Sequence, residues 1–527
     1  MASVFQLDGL LPANGEANNL LARYELRVDW TNSGTFGGTS DNISDDVMSV
    51  SVTYGRDFAS QLTGKAIAGR LSAVLVNTGG TYNSYNSSSP VYGSILPGRR
   101  VRLISLVPYA RPIFQGFLTS IVPRMDQQRN RVAHLEAEGP LSKLDTDARI
   151  AMQTTLTTDV ALGSILDAVN WPATMRDLDT GKTTMVRWWA DGLRALTAAR
   201  EVEATEAGFL RETRDGKIAF ENRHARISGT ASTSQATYTD STGGTIYYSV
   251  IEQQDSWPLI YNQFTAEVRI FGTTTSTVLW THPEGNSTGS APDFQPSETK
   301  VFWAAYPNPT ATLNAVGVHS WTAPSATQDY NFFSDTAATG TNLNANFAVT
   351  VTTFATAAKY SIQNTGTVVG YLTLLQARGV GVVQNDPVQV EALDASSTGT
   401  YGLRRFPRPA EARWTPDTDE AQNWSDMNLG IYKSPNPILT VGINANRDLF
   451  HMREALNRDI SERVTVLATG TVVRLGIATA FFVEGIRHEI QRDRYHRVTY
   501  ELSAAAGYSD FWQVSVSKLG INTRPAY

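Results

Sequence analysis

The chain has 527 residues, enough for roughly three to four domains. Apolar residues make up 41% of it and charged residues only 18%, below the usual ~25%, with Thr, Ser, Asn and Gly filling the difference, as in a β-rich protein with neutral polar surfaces. A net charge of −6 without any run of five Lys/Arg excludes an electrostatic footprint for nucleic acid, and the lack of cysteine excludes disulfides, thiolate catalysis and Cys-based zinc sites.

Met1 to Leu20 has neither a basic segment nor an apolar core of signal-peptide length, and no apolar run approaches ~18 residues, so no leader and no membrane span are expected. Tyr24 to Trp30 reads as the first strand and runs into the turn-rich Thr31-Asn32-Ser33-Gly34-Thr35. Asp29 and Gly34 stand at the first and sixth positions of a calcium loop, with Asp41, Asp45 and Asp46 beyond. Thr31 and Ser33 fill the positions where carboxylates are usual, so a polar hairpin loop is the better reading. Met48, Val50, Val52 and Tyr54 alternate as a strand, and so do Leu71, Ala73 and Leu75.

Arg100–Leu103, Ile113–Ile121 and Arg131–Glu136 then form three strand-like pieces, with a glycine, Gly116, five residues before Ile121. The same layout returns near the other end as Arg463–Val466, Phe481–Ile490 and Arg497–Leu502, with Gly485 five residues before Ile490. These two runs predict a pair of related antiparallel β-modules, against the alternative that strand–turn–strand patterns recur by chance.

Between them the chain changes character. Thr158 or Asp159 can cap a helix with Val160, Leu162, Ile165, Leu166 and Val169 on one stripe, and a second helix is expected over about 189–204. Asp215-Gly216 between alternating runs predicts a hairpin over Phe209–Phe220. Trp188-Trp189 reads as one core and one half-exposed residue, rather than a sugar-stacking pair. Ile227–Gly244, rich in Ser, Thr and Gly, reads as a linker.

From Asn262 to residue 383 short strands (Thr265–Ile270, Ser276–Trp280, Lys300–Trp303, Asn346–Thr352, Lys359–Asn364, Gly370–Arg378) recur at β-sandwich spacing, immunoglobulin-like or jelly roll. Further on come strand-like alternation over Pro387–Leu403, a short helix capped by Thr418, a strand over Pro437–Ile443 and a helical turn at Arg453–Leu456. Tyr508, Phe511 and Trp512 predict a tail that docks on a surface. The expected divisions are a barrel over 1–144, a small α/β unit with hairpin and linker over 145–261, the sandwich over 262–383, a second barrel with short helices over 384–505, and the tail over 506–527.

No local motif nominates chemistry. The seven histidines are His134, His224, His282, His319, His451, His488 and His496; only His488 and His496 could meet, across a hairpin, and two ligands do not make a metal site. There is no Gly-x-Ser-x-Gly, phosphate-binding Gly-rich loop or His-Glu-x-x-His. The acid pairs Asp45/Asp46 and Asp417/Asp419 lie in polar turns and read as caps or solvated loops. No catalytic residue, cofactor or metal is therefore expected, and the chain is read as a non-enzyme.

Several stretches together resemble minor tail and tail hub proteins of long-tailed bacteriophages and prophages. They are Arg27-Val28-Asp29-Trp30 through Asp46-Val47, Tyr54-Gly55-Arg56-Asp57, Ser89-Pro90-Val91-Tyr92-Gly93 with Pro97-Gly98-Arg99, Ile165–Ala168 with Trp171-Pro172, Asp215–His224, Asn364–Gln376 and Phe482–Ile486. The likeness is a string of loose motifs over nearly the whole chain. It implies a mainly β fold with a small α/β part, two tail-tube-like antiparallel β-barrel modules and an immunoglobulin-like sandwich. It further implies a homotrimer whose six barrels make a hub ring at the tail tip, with partners in the tail tube or distal tail protein, the tape-measure protein and tip or fibre proteins. DNA would be passing cargo only, and the ring a virion part assembled in the host cytoplasm. Two other classes remain open: a receptor- or carbohydrate-binding tail protein using the 262–383 sandwich, and a tail-borne cell-wall hydrolase, which needs a cleft with paired carboxylates or a metal.

Overall fold

The computed structural model describes residues 5–11, 20–56, 64–125, 131–240, 246–254, 256–282, 291–306, 315–470, 474–492 and 494–506, with side chains from residue 23. The expected docking aromatics Tyr508, Phe511 and Trp512 lie outside the described residues.

The chain opens with strands β1 (Phe5–Leu11), β2 (Leu20–Val28), β3 (Val47–Gly55), β4 (Ile67–Val76), β5 (Arg100–Ser105), β6 (Arg111–Met125) and β7 (Arg131–Glu138). They pair in the order β1-β2-β5-β6-β7-β4-β3. Val28 N–H donates to Asp41 O (2.8 Å) and Ile43 N–H to Leu26 O (3.0 Å), so the segment leading into β3 closes back on β2 and makes a barrel.

An α/β unit follows: β8 (Asp147–Thr157), α1 (Thr158–Ala168), β9 (Arg176–Leu178), β10 (Thr184–Arg194), α2 (Ala195–Glu206), β11 (Phe209–Glu212) and β12 (Ile218–Glu221). The expected second helix starts later, because Trp188, Ala190, Asp191, Leu193 and Arg194 pair with β8 in β10, with Gly192 (φ +72°) at a second register shift of that strand, before the Ala-rich α2 begins. A register shift between Trp188 and Ala190 puts Trp189 in a β-bulge, and both tryptophans end up buried, at 0% and 5% exposure. The half-exposed tryptophan of the sequence reading is thus corrected, and neither ring is open to a sugar. The Asp215-Gly216 hairpin is present, with Gly216 at φ +83°.

The expected linker carries strands. β13 (Ala236–Thr239), β14 (Ile246–Tyr247) and β15 (Val250–Gln254) belong to the second barrel, with β28 (Ile438–Asn444), β29 (Arg463–Ala468), β30 (Ile477–Gln491) and β31 (Tyr495–Ala504), and a long segment is inserted between β15 and β28. Its elements are β16 (Gln263–Val268), β17 (Phe271–Thr273), β18 (Thr277–Thr281), β19 (Asp293–Phe294), β20 (Thr299–Ala305), β21 (Ala315–Trp321), β22 (Tyr330–Phe333), β23 (Phe347–Thr353), β24 (Ala357–Asn364), β25 (Gly370–Gln384), β26 (Val388–Leu393), α3 (Ala395–Tyr401), β27 (Arg405–Pro407) and α4 (Thr418–Tyr432), and α5 (Leu449–Asn457) precedes β29. The 246–254 stretch pairs with β13 on one side and β28 on the other, closing the ring β30-β31-β28-β15/β14-β13-β29.

Within the insertion, long β25 pairs along both edges with β17, β18, β19, β21 and β22, and faces the three-stranded sheet β20-β24-β23. Phe294, Phe332, Phe347, Tyr360, Ile362, Leu372 and Leu375 fill the space between, a sandwich core of its own. The strand expected to open this sandwich, β16, lies instead in a separate sheet, β26-β16-β27, covered by α4 through Phe264, Phe406, Ala421 and Trp424.

The repeat read from sequence holds at the level of topology. β5-β6-β7 and β29-β30-β31 are both three-stranded antiparallel meanders with a central strand of 15 residues, and β5 and β29 bury alternate residues in the same pattern. The two glycines are not equivalent: Gly116 sits opposite Val101 of the preceding strand, Gly485 opposite Glu501 of the following one and Gly55 of β3. The overall fold is mainly β with a small α/β part, two β-barrel modules built on antiparallel meanders, the second closed through parallel pairs of β13 with β14 and β29, and a β-sandwich.

Candidate functional site

The two barrels meet edge to edge. β3 pairs with the second half of β30 from Ser49↔Gln491 to Gly55↔Gly485, while the first half of β30 pairs with β29. Such a junction demands bare backbone where strands cross closely. Gly55 has φ +100°, and a Cβ there would come within 2.3 Å of Glu484 O and 2.8 Å of Gly485 Cα.

Polar side chains lock the seam. Glu484, 1% exposed, accepts from Arg56 Nε (2.8 Å), Arg226 Nη1 (2.6 Å) and Nη2 (2.9 Å), and Ser503 Oγ (2.6 Å). Burial alone would raise its carboxyl; the Arg226 and Arg56 guanidiniums overcome that and hold it well below the usual range. Arg56 leaves the end of β3, Arg226 comes from the chain after β12, and Glu484 and Ser503 lie on the second barrel, so one carboxylate ties three parts together.

Deeper in the seam lies a buried chain of aromatics. Tyr24 Oη and His496 Nδ1 are 2.8 Å apart, His496 Nε2 and His488 Nδ1 3.0 Å, and Tyr54 stacks on His488 at 6.2 Å between centroids. The sequence reading that these histidines approach across a hairpin is met, but both are buried and no third ligand joins them. Burial, then His496 and Arg214, push His488 well below its ordinary value, and burial pushes His496 down as well, so both rings are neutral at pH 7. Among the described residues no group of three or more His, Asp or Glu is placed to hold a metal ion.

Four of the other sequence candidates, Asp29, Asp41, Asp46 and Asp417, accept hydrogen bonds from protein donors. Asp29, buried, accepts from Ser33 N–H (2.9 Å), Gly34 N–H (2.8 Å) and Ser33 Oγ (3.2 Å); burial raises its carboxyl, but these bonds and Arg100 bring it below the usual range. Asp41 accepts from Gly38 N–H (2.7 Å) and Asp46 from Tyr82 Oη (2.5 Å). Asp417 caps α4 by accepting from Glu420 N–H (2.8 Å). These four acids therefore do structural work, and Asp29 caps the turn that follows it.

Sequence reasoning missed Arg56, Arg226 and Arg214, since nothing local marks a guanidinium that reaches another part of the fold. Arg214, next to the legible Asp-Gly turn, is 7% exposed and donates to Leu456 O, Asn457 O (3.4 Å) and Arg458 O at the end of α5. The whole arrangement can hold domains in register, because each of these contacts joins parts of the fold far apart in the chain.

No protein-family pattern matches the sequence, and no curated protein matches it. Among solved structures the chain is similar to the tail protein from Neisseria meningitidis MC58, with a TM-score of 0.50 and 10% identity over 92% of this chain and 98% of that one. More distant are the 43 kDa tail protein of prophage MuSo2 from Shewanella oneidensis (TM-score 0.47, 9% identity, 92% and 99% covered) and prophage tail protein gp18 from Listeria monocytogenes EGD-e (TM-score 0.41, 8% identity, 91% and 94% covered). The chain thus has the fold of a tail protein.

Proposed function

We propose that this chain is a structural protein of a phage-type tail, and within that class the hub of the tail tip. Three copies would form a ring of six β-barrels that continues the tail tube, joins it to tip or fibre proteins and leaves a channel for DNA and a tape-measure protein. The observation that carries this reading is the duplicated barrel: two closed barrels with matching central meanders, fused edge to edge through β3 and β30 in one chain. A threefold ring of such chains presents six barrels, which a single-barrel chain could reach only as a hexamer. The α/β unit joins the barrels, and the sandwich, inserted in the second barrel, is the module free to meet other tail proteins. On this reading the chain has no catalytic role, spans no membrane and assembles in the host cytoplasm into the virion.

The alternative, a carbohydrate-binding tail protein using the sandwich, calls for exposed aromatics gathered on one face. Among the described residues of the sandwich the large exposed aromatic is Trp303, stacked on Phe354 at 5.8 Å, which is a single platform and favours the hub. Light scattering of the purified chain, followed by electron-microscope class averages, tests the proposal. A trimer with six lobes around a hole is expected, alone or once the tail-tube protein is added. A chain that stays monomeric with every neighbouring tail protein, or a six-copy ring with one barrel lobe per chain, would overturn it.

A further inference from the structure

We infer that the sandwich carries a self-pairing edge: β23 of one chain joins β23 of a second copy, antiparallel across a twofold axis, to make a continuous six-stranded sheet. A free strand edge is a template for pairing, and natural proteins usually blunt it with a charge, a proline, a bulge or a covering element. Other edges in this chain carry such devices. β20 holds Lys300, β27 ends in Pro407, and α4 reaches over β26 through Gln422, whose Nε2 donates to Glu391 O (3.1 Å).

β23, Phe-Ala-Val-Thr-Val-Thr-Thr, has none of them. It pairs with β24 over all seven residues without a register shift, and among the described residues it has no partner on its other side. The hairpin bonds set the phase of its free edge. Phe354 N–H donates to Ala357 O (2.7 Å) and Thr365 N–H to Asn346 O (2.7 Å), so residues 348, 350 and 352 turn their backbone groups to β24. Residues 347, 349, 351 and 353 therefore point N–H and C=O outward.

The edge fits itself. An axis through Thr350 sets Val349 opposite the partner's Val351 and Phe347 opposite the partner's Thr353, each pair exchanging two backbone hydrogen bonds. On the outer face Thr350 meets the partner's Thr350 and Ala348 meets the partner's Thr352, with no charge to repel. On the inner face Val349 and Val351, half-buried at the margin of the sandwich core, gain cover from their counterparts. Cross-strand Thr–Thr and β-branched pairs are the favourable ones for such a ladder. The contact is twofold, so it stands apart from the threefold ring proposed above and would join two chains, or two rings, through their sandwiches.

The test uses the full chain. Light scattering over a rising concentration series should show the mass doubling, from whichever ring or monomer is the unit, and the amides of Val349, Val351 and Thr353 should gain hydrogen-exchange protection over the same range. Thr350→Lys, at an exposed position, sets two ammoniums face to face on the axis. It should weaken the doubling at least about tenfold while leaving the melting temperature in place. Val351→Pro removes an outward donor but no bond to β24 and should act in the same direction. A mass that never doubles, a doubling that Thr350→Lys leaves intact, or edge amides protected only by another tail protein would each overturn the inference. A trimer that ignores Thr350→Lys would keep the hub and remove only this contact.

Discussion

Glu484 and Glu212 are both buried carboxylates, yet their surroundings drive them in opposite directions. Glu484 faces two arginines, whereas Glu212 is held by backbone N–H groups of Leu141 (2.5 Å) and Gly69 (2.7 Å). Burial pushes Glu212 up, those bonds and Arg200 only partly offset it, and its carboxyl settles at about 7, against 4.5 when exposed. Between those two values the folded chain keeps a proton that the unfolded chain has released. The stability tied to Glu212 is therefore fully present below pH 4.5 and lost as pH rises through about 7. Glu484, with its depressed value, contributes above pH 4.5 and loses that contribution on acidification, as the depressed His488 and His496 do below their ordinary 6.5. In Glu212→Gln one oxygen becomes an amide that cannot accept, so one of the two N–H groups is orphaned at a cost of about 1–3 kcal/mol. Urea midpoints at pH 5, 6.5 and 8 should show the native chain's advantage over this variant shrinking with pH; a constant gap would mean Glu212 does not titrate there. Glu484→Gln should cost about 3–5 kcal/mol near pH 7, because two buried guanidiniums lose the carboxylate they share, and that cost should fade in acid. An unchanged midpoint would mean that solvent reaches the pair.

At the level of elements, α5 shows how a helix end can serve as a socket. Asp448 caps its start by accepting from His451 N–H (2.9 Å), and Arg214 of the α/β hairpin satisfies the last carbonyls while placing a positive charge at the negative end of the helix dipole. Arg214→Ala should cost about 3 kcal/mol and loosen the hairpin over 209–221, seen as faster amide exchange there, whereas Arg214→Lys should recover part of the loss through charge alone. Equal damage from both variants would assign the role to the guanidinium fork instead. The same hairpin marks how far sequence reading went. Asp215-Gly216 announces a turn because only a few residues tolerate positive φ, but no local pattern says that Arg214 caps a helix more than two hundred residues away. Strand existence was similarly legible in β16, β20, β23, β24 and β25, since alternation reports a half-buried face. Partner choice was not, so β16 was grouped with a sandwich it does not join. The strands β13 and β14 escaped altogether: Ser, Thr and Gly dominate their neighbourhood, and their signal is the burial of Tyr238 and Ile246 against strands far along the chain.

For the whole molecule, the seam between barrels decides how the chain unfolds. Residues of both barrels, from Tyr24 and Val52 to Ile486 and Tyr500, form one apolar core, while the sandwich has its own around Phe294 and Phe332. One core shared across β3 and β30 makes the barrels a single cooperative unit, and a separate core reached through short connections lets the sandwich open alone. Two calorimetric transitions are therefore expected. Gly55→Ala would force a side chain into φ +100° and against Glu484 O, costing about 1–3 kcal/mol from the dihedral alone, with the clash adding to it. Because Gly55 lies on the seam, this substitution should lower the barrel transition as a whole and accelerate amide exchange in β3 and β30 together, while the sandwich transition stays in place. Loss of protection confined to the first barrel would show that the two barrels are merely adjacent. A joint loss would mean that the duplicated module works as one rigid double barrel, which is what a ring built from three chains requires if six barrels are to keep a common axis.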